Sequence, residues 1–171
     1  MRILWKGIGC VLLILSGTAI GYKAGEKLLT RVKMLAEMLC IIQYLQTNLK
    51  YRRDTTCDAL HNMTQCCVLE ALPFRIGMLT PQTLPATLKT ALRKLQIDTK
   101  DVLKPQEFAL FDTSLTEFGN ASAEEESKKL AGTQAELKVI FAKAKEDAAK
   151  DRKLYRALGI AGGVAAALLF V

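Results

Sequence analysis

The chain has 171 residues, enough for one domain with appendages and too few for a second core of ordinary size. Apolar residues make up 50% and charged residues 24%, so the apolar ones must cluster, while 6% aromatics and no β-branched runs leave little room for a sheet. A net charge of +7 suits nucleic acid, anionic lipid or an acidic partner, but basic and aromatic residues are not interleaved, which argues against a nucleic-acid surface.

The first element, Ile3 to Tyr22, reads as one helical span. At about 1.5 Å per residue it matches a hydrocarbon core of about 30 Å, and Lys6 lies near enough to its end to snorkel. The expectation is an N-terminal transmembrane helix over residues 1–22. The rival reading is a signal peptide cleaved near Ser16, Gly17, Thr18 and Ala19, which would release a secreted helical protein. Lys23, Lys27, Arg31 and Lys33 oppose export of the residues C-terminal to the span and predict their retention on the cytoplasmic side, close to anionic headgroups.

No proline or glycine pair interrupts residues 26–50, and Leu28, Val32, Leu35, Leu39, Ile42 and Leu49 recur at helical steps, predicting one long amphipathic helix that turns near Tyr51, Arg52, Arg53 and Asp54. Thr55 or Thr56 can cap a short helix through Ala59, Leu60 and Met63. Pro73, Pro81 and Pro85 then punctuate the chain into short segments. Pro85 suits the first turn of a helix through Leu88, Ala91, Leu92 and Leu95, with Ile97 to Val102 as a turn. Pro105 opens a helix through Phe108, Leu110, Phe111, Leu115 and Phe118 that Gly119 and Asn120 stop.

Ser122 with Glu125 forms a capping-box pattern, and Glu124, Glu125 and Glu126 crowd the first turn, where negative charge is favoured. One helix is predicted from Ala123 onward through Leu130, Leu137, Phe141, Ala144, Ala148, Tyr155 and Leu158. Residues 158–171 are uncharged but short for a full span, and read as a short membrane segment that Lys153 and Arg156 flank. Gly159, Gly162 and Gly163 give that segment a small side on which another helix can approach. The fold class is all-α: a compact bundle of about six helices over residues 23–157, with long first and last helices running into the two membrane segments.

Catalytic motifs are lacking. Cys57, His61, Cys66 and Cys67 are the one cluster with metal or thiol chemistry to weigh, and a membrane-tethered zinc or thiol protein is the alternative they support. Paired C-x-x-C spacing is absent, and packing is the better account of small buried cysteines; Cys10 falls in the first apolar segment. No phosphate loop is present, so any ATPase must be another subunit. No cofactor is called for, and the reading is of a non-enzyme.

Gly7, Gly9, Thr18, Ile20 and Gly21, then Arg31, Leu35 and Tyr51, resemble the opening of the stage III sporulation protein AB family. Phe118-Gly119 ahead of an acidic helix, Lys153-Leu154-Tyr155-Arg156-Ala157-Leu158-Gly159 and Gly162-Gly163 are similar to its closing signature. That family resembles, in its soluble part, the cytoplasmic helical domain of the platform proteins of type II secretion and type IV pilus systems. The resemblance implies a scaffold subunit of the channel complex between mother cell and forespore, in the mother-cell membrane facing the forespore, with its soluble domain cytoplasmic. Its implied partners are a secretion-type ATPase, other channel subunits and membrane lipids, with self-association open. Candidate membrane and partner contacts are Lys23, Lys27, Arg31, Lys153, Arg156, Gly159, Gly162 and Gly163.

Overall fold

A computed structural model describes residues 2–52, 54–76 and 80–170. The side chains of Lys6 and Cys10, and the whole of Arg53 and Val171, lie outside the described residues. Among the described residues five α-helices follow one another: α1 (Arg2–Thr47), which passes into a π-helical turn at Asn48–Arg52, α2 (Thr56–Cys66), α3 (Leu84–Thr99), α4 (Pro105–Thr116) and α5 (Ala123–Phe170). Among the described residues there is no strand. The chain divides into two compact units, one of Arg31–Ala142 and one of Met1–Thr30 with Lys143–Val171.

The helix starts lie where local chemistry puts them. The Thr55 hydroxyl accepts the Asp58 N–H at 3.3 Å and so caps α2. Pro85 and Pro105 sit in the first turns of α3 and α4, where a missing N–H is harmless. Ser122 accepts the Glu125 N–H at 3.4 Å and donates to its carboxylate at 3.1 Å, which starts α5. Two boundaries differ from expectation. α3 runs through Ile97 to Thr99, leaving Ile97 exposed, because Leu95 and Thr99 are both buried and continue the helical step. Residues 67–83 hold no helix among those described, so the bundle has one short helix fewer than expected.

In the unit of residues 31–142, Met34, Leu35, Met38, Ile41, Ile42 and Leu45 of α1 form the central buried face. This face is turned from the leucine stripe predicted: Leu28, Val32, Leu39 and Leu49 are only half-buried, and the two methionines take the central positions. Buried with it are Leu60 and Met63 of α2, Leu88, Leu92 and Leu95 of α3, Phe111 and Leu115 of α4, and Leu130 and Leu137 of α5. Each such side chain contributes roughly 1.5–3 kcal/mol on leaving water. The proline-punctuated segment also enters the core: Leu72, Phe74 and Ile76 are buried, and Phe74 meets Phe111 edge to face with ring centroids 5.7 Å apart.

The unit of the chain ends follows the opposite logic. Glycines of α1 and α5 meet inside it, whereas Leu12, Leu15, Ile20, Leu158, Ile160, Val164 and Leu168 are exposed. Among the described residues no helix is long and apolar enough to cross a membrane, so the structure leaves the two expected membrane segments unshown.

Candidate functional site

A groove of about 950 Å³ lies between α3 and α4. Its origin is the step of α3: Leu88, Leu92 and Leu95 turn to the core, and the adjacent row, Lys89 and Arg93 with Lys100 beyond, stands beside them in water. The floor is Leu88, Leu92, Leu103 and the half-buried Phe108; Lys89, Arg93 and Lys100 form the rim. Asp112 enters from α4, and burial raises its carboxyl above the ordinary value. An apolar floor under three cations can bind an amphipathic acidic surface. Sequence reasoning missed this groove; the signal was the i, i+4 cationic row beside an i, i+4 apolar row.

Near the start of α4 an ion pair is buried. Both Arg31 Nε, at 3.2 Å, and Nη2 donate to the Glu107 carboxylate, the two side chains being only 13% and 3% exposed. Glu107 also accepts the Lys104 N–H at 3.0 Å, closing the first turn of α4. Arg31 was a candidate for lipid headgroup contact; its guanidinium is committed to Glu107 instead. Two further glutamates act alike. Glu37 accepts the N–H groups of Glu70, Ala71 and Leu72, at 3.1, 2.9 and 2.6 Å, and so ties the segment after α2 to α1. Glu126, expected only as negative charge at a helix start, accepts the N–H groups of Gly119 and Ala121. Gly119 has φ +93°, and a Cβ there would stand 2.7 Å from the Thr56 hydroxyl, so only glycine serves.

In the unit of the chain ends, Gly17, Gly21 and Gly25 recur at every fourth position of α1 and face α5 running the other way. A Cβ on Gly17 would lie 2.9 Å from Gly159 O and 3.0 Å from Gly163 Cα; one on Gly21 would lie 2.5 Å from Tyr155 O. Gly159 returns the contact, 2.8 Å from Gly17 O, but a Cβ on Gly162 would meet nothing within 4 Å. Of the three tail glycines, then, Gly159 and Gly163 belong to the crossing and Gly162 does not. The α1 glycine repeat is a readable small-xxx-small pattern, but Gly17 falls into a cleavage motif, Gly21 into family positions and Gly25 into neither, which hides the repeat. Of the basic candidates, Lys23, Lys27 and Lys153 are exposed, and Arg156 stacks over the Tyr22 ring at 5.1 Å.

The thiol cluster does not converge. Among the described residues no three His, Cys, Asp or Glu side chains come within reach of one metal ion. Cys57 is half-buried and Cys66 exposed, while the His61 Nε2 lies 3.3 Å from the Gln65 amide nitrogen. Buried Cys67 turns to Cys40 of α1, Sγ to Sγ 3.0 Å. Burial first, then the hydrogen bond and charge of Cys40, push the Cys67 thiol up to about 12.

No curated protein and no solved structure matches the chain. The family model of stage III sporulation protein AB matches residues 6–171. With all but the first five residues inside that match, the chain belongs to the stage III sporulation protein AB family.

Proposed function

We propose that this sporulation protein is a non-enzymatic platform: its helical unit docks a secretion-type ATPase, while the chain ends hold it to the mother-cell membrane facing the forespore, among the other subunits of the channel complex. The observation that supports docking is the α3–α4 groove, where Leu88, Leu92 and Leu103 lie beneath Lys89, Arg93 and Lys100. Such a surface takes an apolar anchor and steers an acidic partner to it, giving recognition without chemistry.

Membrane attachment is supported by the packing of the end unit. Small residues inside and large apolar side chains outside is the arrangement that suits lipid, where helices gain nothing by hiding leucine from water. Contact of Lys23, Lys27 and Lys153 with anionic headgroups is supported by their exposure, each basic residue contributing about 1 kcal/mol near a charged surface.

The test is affinity recovery of the tagged full-length chain from sporulating cells, with the co-purifying ATPase quantified by mass spectrometry. The unsubstituted chain is expected to recover it, and Lys89→Glu with Arg93→Glu to lose most of it. Absence of the ATPase from the first, or equal recovery with the second, overturns the docking reading. Release of the unsubstituted chain from membranes by salt alone overturns insertion of its ends.

A further inference from the structure

We propose that Cys40 and Cys67 are a peroxide-responsive dithiol, a modification site that closes to a disulfide and clamps the segment following α2 onto α1. The pair rests on placement from two elements. Cys67 ends α2, its N–H bonded to Met63 O at 3.0 Å, so its position is fixed by the helix it terminates. Cys40 faces it from the middle of α1 with 3.0 Å between sulfurs. A bond of about 2.05 Å needs roughly 1 Å of approach, within rotamer adjustment of two side chains on packed elements. Glu37, almost one helical turn earlier on α1, already holds the N–H groups of residues 70–72, so the segment is presented to Cys40 before any bond forms.

The two thiols differ in access, which gives the reaction an order. Cys40 is exposed and Cys67 is 4% exposed. Cys40 therefore meets the oxidant: its sulfur attacks one oxygen of hydrogen peroxide, the O–O bond breaks, and water leaves, giving the sulfenic acid. Cys67 then attacks the Cys40 sulfur; the S–S bond forms, the S–O bond breaks, and hydroxide departs with the Cys67 proton as a second water. Two thiols are oxidised to one disulfide as one peroxide is reduced to two waters. Burial keeps the Cys67 thiol protonated and shielded from the oxidant, so Cys40 is the thiol that reacts first. Cys66 is the internal control: adjacent in sequence and exposed.

The experiment treats the full-length chain with hydrogen peroxide, blocks residual thiols with N-ethylmaleimide and reads intact mass and peptide linkage. The expected product is about 2 Da lighter before blocking, two hydrogens having left, with Cys40 linked to the peptide that carries Cys67. Cys66→Ser is expected to keep the link, and Cys67→Ser to slow it at least about tenfold. Equal linking by Cys67→Ser through Cys66, or sulfinic acid at Cys40 with no link, overturns the proposal. Phenylarsine oxide, which bridges two neighbouring thiols, tests the unsubstituted chain: it is expected to shield Cys40 from alkylation, and unimpeded alkylation of Cys40 overturns the pairing.

Discussion

Glu37, Glu107 and Glu126 share one task, accepting backbone N–H groups where the chain is not helical or a helix begins. Glu107 adds Arg31, and its burial makes that pair unforgiving. Glu107→Ala leaves a guanidinium without its anion in a site that excludes water, so the helical unit is expected to lose about 3–5 kcal/mol in urea unfolding. Arg31→Met with Glu107→Leu removes both charges and is expected to lose less than either single truncation, a non-additivity that a double-mutant cycle reads. No local pattern could have announced this pair, since its members are 76 residues apart. Asp112 tests the opposite case, an acid raised by burial. A carboxyl raised in the folded state favours folding when protonated; that contribution is complete below its unfolded pKa and is lost as pH rises through the folded one. Asp112→Asn is therefore expected to stabilise the protein at pH 7 relative to the unsubstituted chain. The advantage should shrink to nothing in melts carried out below the ordinary carboxylate range.

Helix starts were legible because they are written in adjacent residues: Thr55 to Asp58, Pro85, Pro105 and Ser122 to Glu125 each act within one turn. The core face of α1 was legible only in part. Leu35 and Ile42 lie on it, but Met34, Met38, Ile41 and Leu45 make up the rest, and a flexible methionine adapts to its surroundings without marking a core face beforehand. Residues 67–76 were hardest to read, because their order comes from elsewhere: a carboxylate on α1 satisfies their N–H groups, and Phe74 is held by Phe111. Glu37→Ala removes that acceptor. The amides of Ala71 and Leu72 are expected to exchange with deuterium roughly 10–100-fold faster, as loss of hydrogen bonds to a charged group implies, with amides inside α3 unchanged. Unchanged protection at Ala71 and Leu72 would show that apolar burial alone holds the segment. The signal of the α3–α4 groove was ambiguous for a related reason: a cationic row on one helix reads as a solvated face until a second helix supplies the far wall.

At the scale of the molecule, the two units are built on contrary rules, and composition showed only their average. Residues 31–142 hide large side chains such as Leu35, Leu60 and Phe111, whereas the end unit buries Gly21, Gly25 and Gly163 and leaves Leu15, Leu158 and Leu168 outside. Substitutions should therefore act with unit-specific consequences. Gly159→Leu places a side chain where even a Cβ would come within 2.8 Å of Gly17 O, and the obstruction is backbone, which cannot rotate aside. The two helices must separate there. Gly162→Leu adds the same bulk where nothing lies within 4 Å. In detergent-solubilised full-length chain, Gly159→Leu is expected to raise deuterium uptake over residues 17–25 and 152–163 at least about tenfold, a loss of about 1.4 kcal/mol or more of local packing, while residues 34–45 and 88–115 keep their protection. Gly162→Leu is expected to change neither set. Equal effects from the two leucines would mean that bulk in the tail, and not its crossing with α1, determines how the ends are held; loss of protection over residues 34–45 would mean that the units melt as one.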